Sequence, residues 1–214
     1  NILHLIGSEI IDEKIWMFSD YIERGSLKDW LKRRERKNLT YRDYIRFFLG
    51  ILNGLDHLHK LDTLHRDLKP ANILLKENGP NYIKNDIPLL ADFGLARNLA
   101  ISQTETLIGT KLYNSPEWME IYIARNEGEE AKFKRSKHDD LWAVGVIFQE
   151  LLTGKHPFET IENIRHCRRT AISSDVPKSI RDFCDRQLQK ERSARFQSVS
   201  DMINAIKLID AELD

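Results

Sequence analysis

The stretch that decides the fold is His65–Leu75, which reads His-Arg-Asp-Leu-Lys-Pro-Ala-Asn-Ile-Leu-Leu. Because a lysine follows Asp67 by two positions and an asparagine by five, one short loop can direct all three side chains at the same small volume. The aspartate can orient a hydroxyl, Lys69 can offset phosphate charge, and Asn72 offers a neutral oxygen to a hard cation. A second carboxylate follows in Asp92-Phe93-Gly94, so this set of residues predicts phosphoryl-transfer chemistry.

Two further motifs follow in a fixed order. Ser115-Pro116-Glu117 comes after a polar stretch, and Asp140-Leu141-Trp142 opens a strongly apolar helix. A lone His-Arg-Asp is a weak signal, but with these motifs in this order the chain resembles the protein kinase family over essentially its whole length. The resemblance implies an α+β, kinase-like fold with a mostly helical large lobe. Residues 1–22 would be the end of the small lobe and the hinge, and residues 23–214 the large lobe.

The resemblance also implies a role for each residue of the site. Asp67 would orient the acceptor hydroxyl and accept its proton, Lys69 would neutralise charge on the γ-phosphoryl group, and Asn72 would complete the catalytic set. Asn72 and Asp92 would hold Mg²⁺, and Asp92 would also contact ATP. The other residues assigned to ATP binding are Asp20, Ile22, Ser26 and Leu74.

Regulation and substrate class are implied in the same way. Arg66 precedes the catalytic aspartate, and kinases that keep this arginine can use it to bind an activation-loop phosphate. Thr106 is the best-placed acceptor of that phosphate, Thr104 and Thr110 are further regulatory candidates, and an upstream kinase would be a partner. The alternative is a loop that merely contains hydroxyl groups. Lys69 together with Thr110 resembles the serine/threonine branch, whose substrates are protein serines and threonines.

Spacing of apolar residues predicts the local structure. The runs Ile2–Ile6 and Ile15–Phe18 flank a polar turn and predict a hairpin. Apolar residues recur three and four positions apart over 39–61, which predicts an amphipathic helix with Thr40 as N-cap. Ser26 is the expected N-cap of an earlier helix.

The segments around the motifs carry smaller expectations. The connection 76–88 is longer than expected and predicts a surface insertion without chemistry, while the charged tract 124–138 predicts a solvated loop or an exposed helix. The Asp140 helix should run to about Leu152, with Gly154 as C-cap. His65 is expected to be a buried packing residue beneath Phe93. By resemblance, Arg195 would pair with Glu117.

The composition of the chain restricts its possible partners and its cellular location. The 214 residues are 41% hydrophobic and 31% charged, and 33 basic side chains balance 33 acidic ones, so nothing global indicates a nucleic-acid partner. Two cysteines are too few for a disulfide framework and favour a cytoplasmic, intracellular location. No apolar run approaches the roughly 20 residues of a membrane helix, and the first residues do not show the charged-then-apolar pattern expected of a signal peptide.

Three interpretations remain open. The sequence starts without methionine and contains no Gly-x-Gly-x-x-Gly loop or strand lysine, which predicts a kinase fragment that is nearly inactive by itself. A pseudokinase-like scaffold or regulatory binding module is the alternative, although the retained Asp67, Lys69, Asn72 and Asp92 argue against it. A small-molecule phosphotransferase of kinase-like fold is disfavoured by Arg66 and by the later motifs.

Overall fold

The computed structural model describes residues 1–33, 39–80, 83–92, 111–130 and 133–213. Within these ranges the chain forms two small antiparallel sheets and a larger helical body, the α+β composition predicted from the sequence. The strands are β1 (Leu5–Ile11), β2 (Lys14–Ser19), β3 (Ile73–Lys76) and β4 (Ile87–Leu90). The helices are α1 (Leu27–Arg33), α2 (Tyr41–Lys60), α3 (Pro116–Glu127), α4 (Lys137–Thr153), α5 (Ile161–Arg165), α6 (Lys178–Gln187) and α7 (Val199–Glu212).

The predicted hairpin is formed by β1 and β2. Its register pairs Ile10 with Ile15, and the two turn residues Asp12 and Glu13 have φ angles of 50° and 62°. Positive φ at both central residues matches the right-handed twist of the flanking strands. The hairpin packs little against the described residues, since Ile10 is 74% exposed and Ile15 is 63% exposed.

The N-terminal segment joins the hairpin to the helical body. Strand β1 begins later than predicted because Ile2 forms a parallel bridge with Leu90 of the second sheet. Leu90 donates its N–H to Asn1 O (3.0 Å) and accepts from Leu3 N–H (2.9 Å). A Cβ atom at Gly54 in α2 would lie 2.5 Å from Asn1 O, so the close approach of this segment to α2 requires glycine there.

Helix α2 is the amphipathic helix predicted over 39–61. Its N-terminus is a capping box in which Thr40 Oγ1 accepts from Asp43 N–H and the Asp43 carboxylate accepts from Thr40 N–H. The apolar face is buried, and Phe48 stacks on Phe148 of α4 at 4.1 Å between ring centroids. This buried helix gives the following loop a rigid base.

Helix α4 is apolar nearly all round and forms the centre of the core. It begins earlier than predicted because Ser136 caps it together with Asp139, and it ends at Gly154, whose φ of 73° is the predicted C-cap conformation. The charged tract 124–138 is therefore divided between the last turn of α3, a connecting loop and the first residues of α4.

The C-terminal helices complete the core. Helix α7 packs on α2, and α6 contributes Phe183, whose ring contacts Phe48 edge-on. The β3–β4 sheet lies against α2 on another side. No helix in the described ranges has both the length and the apolar character needed to span a bilayer.

Candidate active site

Three of the predicted catalytic side chains meet at one carboxylate. Asp67 Oδ2 lies 2.7 Å from Lys69 Nζ and accepts a hydrogen bond from Asn72 Nδ2 at 3.0 Å. The loop can close in this way because Pro70 starts a short 3-10 turn, in which Asn72 N–H donates to Lys69 O at 2.9 Å. The Asp67 side chain is 39% exposed, so its second oxygen remains accessible to a ligand from solvent.

A buried aspartate of α4 holds the backbone of this loop. Asp140, 2% exposed, accepts from the N–H groups of His65 (2.9 Å) and Arg66 (2.8 Å). His59 of α2 completes the arrangement, with Nε2 at 2.9 Å from the same carboxylate. Arg66 has φ of 70°, an uncommon conformation for a non-glycine residue, and the Asp140 contact at its N–H helps to hold it.

The two predicted metal ligands lie next to one another along the sheet. Ala91 N–H donates to Asn72 O at 2.9 Å, and Asp92 follows directly, exposed and with φ of 57°. Because Asn72 Nδ2 donates to Asp67, its Oδ1 remains as the amide's acceptor atom. One amide oxygen and one carboxylate suit Mg²⁺, which commonly takes one or two carboxylates and completes its shell with phosphate oxygens and water. The described residues hold no cluster of three or more His, Cys, Asp and Glu side chains that would form an all-protein metal site.

The residues predicted to contact the nucleotide lie on two adjoining segments. The chain from Asp20 to Ser26 runs from the hairpin into α1 and is joined to β3 by a bridge between Ser26 and Leu74. The Ser26 hydroxyl is the predicted N-cap of α1: it donates to Asp29 Oδ2 at 2.6 Å and accepts from Asp29 N–H. This hydroxyl is therefore engaged within the protein, whereas Ile22 and Leu74 are both partly exposed.

A row of stacked side chains leads from residue 111 to the catalytic loop. Lys111 Nζ donates to the hydroxyl of Tyr122, whose ring stacks on Trp118 at 5.3 Å. Arg135 lies over the other end of this stack and donates from Nη1 to Arg66 O at 3.1 Å. Burial lowers the pKa of Arg135, and the positive charge of Arg66 lowers it further. Two cationic side chains, Arg66 and Arg135, therefore lie close together, with the acidic side chains of Asp139 and Asp140 also nearby.

A buried ion pair fastens the start of α3. Arg195 Nη1 and Nη2 donate to the two carboxylate oxygens of Glu117 at 3.0 and 2.8 Å, and the arginine side chain is 1% exposed. The predicted pairing is confirmed. The guanidinium also lies 4.6 Å above the ring of Trp142, which joins α3 to the core helix α4.

His65 is fully buried, and burial lowers its pKa. This agrees with the packing role predicted for it rather than an acid–base role. Its predicted neighbour Phe93 lies outside the described residues, as do Thr104, Thr106 and Thr110, so the regulatory predictions at these positions stay predictions.

Comparison with known proteins identifies the family to which this chain belongs. The sequence profile of the family described as "Protein kinase domain" matches residues 1–206. The chain belongs to the protein kinase family. The α+β, kinase-like fold predicted from the sequence is thereby confirmed, and the family in general uses ATP and Mg²⁺ and acts on protein substrates.

Individual relatives of this kinase chain are protein kinases of several organisms. It is 33% identical over 201 residues to an Aurora kinase of Schizosaccharomyces pombe, with 91% of this chain and 51% of that protein covered. A probable serine/threonine-protein kinase PknB of Bifidobacterium longum is 29% identical over 213 residues, with 92% and 28% covered. Mitogen-activated protein kinase kinase kinase 5 of Arabidopsis thaliana is 29% identical over 163 residues, with 76% and 21% covered. The chain thus spans about half of the first relative and less than a third of the other two.

Sequence reasoning missed three residues that support the site of this kinase. His59 reaches Asp140 from the last turn of α2, Arg135 reaches the loop that carries Asp67 from a charged tract, and Arg24 is buried beside the β3–β4 loop. His59 had a usable signal, since it follows Leu55 by four positions and Leu52 by seven, which puts it on the apolar face of α2. The other two are charged residues in connecting segments, and only their tertiary contacts distinguish them from solvated side chains.

Proposed function

We propose that this chain is the catalytic part of an ATP-dependent protein serine/threonine kinase, which transfers the γ-phosphoryl group of ATP to a protein hydroxyl. The observation that carries the proposal is the convergence of Lys69 and Asn72 on Asp67 Oδ2, with Asp92 placed beside Asn72 through the Ala91 N–H bond. The closeness of these side chains supports the roles proposed for them: Asp67 as base, Lys69 as phosphate-neutralising cation, and Asn72 and Asp92 as oxygen ligands.

Each side chain has a distinct task in the transfer. The exposed oxygen of Asp67 orients the acceptor hydroxyl toward the phosphorus and accepts its proton late in the reaction. Lys69 Nζ lies 2.7 Å from the other oxygen and offsets negative charge that the phosphoryl oxygens bring to the site. Asn72 fixes the Asp67 carboxylate through one hydrogen bond and the loop backbone through another.

Mg²⁺ would be held by Asn72 Oδ1 and the carboxylate of Asp92. When bound, the ion would neutralise phosphate charge and orient the phosphates of ATP. The donor set supports this assignment, because the Asn72 amide nitrogen is engaged by Asp67 and leaves its oxygen available.

ATP would bind where the hairpin meets the helical body. Residues 1–22 would be the end of the small lobe and the hinge, and residues 23–214 the large lobe. Backbone groups of Asp20 and Ile22 would contact the adenine, and Leu74 would pack beneath it, with Ser26 shaping the edge of the site through the cap of α1. Residues 1–214 contain no Gly-x-Gly-x-x-Gly sequence, so this stretch alone would bind ATP weakly and transfer phosphoryl groups slowly.

The serine/threonine assignment rests on Lys69 with Thr110 and is supported by relatives that are named as probable serine/threonine-protein kinases. Regulation would act at Arg66, with Thr106 as the favoured phosphoacceptor, Thr104 and Thr110 as further candidates, and an upstream kinase as partner. The contact of Arg135 with Arg66 O brings two guanidinium-bearing residues to this loop, which supports the binding of a phosphate there. Cys167 and Cys184 are both free thiols, which supports an intracellular location.

The proposal is tested with the full-length protein, labelled ATP, Mg²⁺ and a library of peptides that contain serine, threonine or tyrosine. We expect label on serine and threonine only. Label confined to tyrosine would overturn the branch assignment. A protein that binds nucleotide and partner proteins but transfers no label would favour the scaffold alternative.

A further inference from the structure

The β3–β4 loop is fastened to the chain that precedes α1. Residues 77–80 and 83–86 of this loop are described, and they surround the guanidinium of Arg24. Arg24 Nη2 donates to Glu77 Oε1 at 2.5 Å and also to Gly79 O, and Nη1 lies 3.1 Å from Asp86 Oδ1. The sequence predicted a surface insertion without chemistry, whereas these contacts give the loop a defined anchor.

The anchor is largely buried, which makes it energetically significant. The side chains of Arg24 and Asp86 are 8% and 0% exposed, whereas Glu77 is 59% exposed. Burial raises the pKa of Asp86, and hydrogen bonding from Ile83 N–H and the charge of Arg24 oppose that rise. Because an unpaired buried charge is costly, removal of Arg24 or Asp86 alone should destabilise this packing.

The loop is also held at a strained residue. Ile83 is fully buried and has φ of 59°, a conformation that β-branched residues rarely adopt. Its N–H donates to Asp86 Oδ2 at 3.0 Å, so the same carboxylate binds both the arginine and the strained backbone. Backbone strain persists only where surrounding contacts enforce it, and here Asp86 supplies one of those contacts.

Arg24 belongs to the segment that would bind adenine. Its neighbour Gly25 accepts Leu75 N–H at 2.9 Å and donates to Ile22 O at 3.1 Å, so contacts made by Arg24 constrain a tight turn directly after Ile22. This segment borders a cavity of about 480 Å³, which is also lined by His4 and Lys76. Because this cavity is lined by residues 20–24 themselves, the contacts of Arg24 with the β3–β4 loop form part of the wall that shapes it.

We propose that Arg24 is a positioning residue for the nucleotide: by tying residues 20–25 to the β3–β4 loop, it sets the position of the backbone groups that bind adenine. This inference rests on the proposed use of ATP at Asp20 and Ile22. It assigns to the long β3–β4 loop a role in nucleotide affinity, and to Asp86 the role of holding the arginine in place.

The test uses the full-length protein and compares KM for ATP, KM for peptide and kcat. Arg24→Met combined with Asp86→Asn removes both buried charges, while the amide oxygen can still accept the N–H of Ile83. Arg24→Lys keeps the positive charge but cannot make the branched contacts of a guanidinium. Lys178→Met at the start of helix α6 is the control, since the side chains of Lys178 and its partner Asp182 are both exposed.

We expect KM for ATP to rise about tenfold in the double variant and to a smaller extent in Arg24→Lys, with kcat and KM for peptide within about twofold of the parent. Unchanged KM for ATP in Arg24→Lys and in a folded double variant would overturn the inference. If the double variant does not fold, Arg24→Lys decides alone: unchanged KM overturns the inference and raised KM supports it. Direct measurement of ATP binding to the parent protein distinguishes a failure of the Arg24 inference from a failure of the proposed function. A parent protein that binds no ATP contradicts the proposed function itself.

Discussion

His59 Nε2 lies 2.9 Å from Asp140 Oδ2, and this contact joins helices α2 and α4 directly beneath the catalytic loop. Since a carboxylate can only accept, the imidazole donates from Nε2. The same carboxylate receives the N–H groups of His65 and Arg66, so a single buried side chain connects two core helices with the loop that carries Asp67.

The first prediction concerns His59. Replacing it with alanine removes one of the donors to a buried carboxylate, and we expect the free energy of unfolding to fall by about 1–3 kcal/mol. His59→Gln keeps an N–H donor and should recover part of that loss. Urea denaturation followed by circular dichroism measures both variants, and a His59→Ala protein as stable as the parent would show that the contact contributes nothing.

The second prediction concerns the buried pair of Arg195 and Glu117. Arg195→Met leaves a carboxylate without its bidentate partner in the interior, and we expect a loss of about 3–5 kcal/mol. The matched control is Lys178→Met, where an exposed pair is broken and a change below about 1 kcal/mol is expected.

A double variant distinguishes the loss of both buried charges from the loss of one. Glu117→Leu combined with Arg195→Met removes both charges, so it should be less destabilising than Arg195→Met alone. Equal losses in Arg195→Met and Lys178→Met would contradict the assignment of the Glu117 pair as a buried structural contact.

The third prediction concerns acid stability. Burial lowers the pKa of His156 to about 4, and its Nε2 is buried without a hydrogen-bond partner among the described residues. The unfolded chain, with a pKa near 6.5, binds more protons than the native protein between about pH 4 and 6.5. Stability should therefore fall as the pH drops through this range, by up to about 3 kcal/mol from this residue.

His156→Asn provides the measurement for this residue. It removes the titrating ring, so the difference in urea midpoint between pH 7.5 and pH 5 should become smaller than in the parent. Some slope should remain, because burial also lowers the pKa of His65 and of His138. A parent protein whose midpoint rises on acidification through this range would contradict the assignment.

The sequence was most informative where local spacing determines structure. The capping residues Thr40 and Ser26, the C-cap at Gly154 and the convergence at Asp67 all depend on residues within five positions of one another. The pairing of Arg195 with Glu117 is nonlocal, and it was predicted only through the family resemblance.

Other features depend on contacts that local spacing does not encode. Ile2 was assigned to the hairpin strand, but backbone pairing with Leu90 draws it to the second sheet. The sequence around Arg24 is typical of a solvated charged residue in a turn, but in the structure residues of the β3–β4 loop enclose its side chain. Both outcomes arise from chain segments more than fifty positions apart, so neither periodicity nor capping preference could predict them.

The role proposed for Asp67 is that of the base in a phosphoryl-transfer site. Label transfer by the full-length Asp67→Asn variant tests this role most directly. The substitution preserves size but removes the group that accepts the proton. We predict that kcat for a serine or threonine peptide falls by about 10²- to 10⁴-fold, while the melting temperature and the affinity for nucleotide stay close to those of the parent. A folded Asp67→Asn protein that transfers phosphoryl groups at the rate of the parent would contradict the claim.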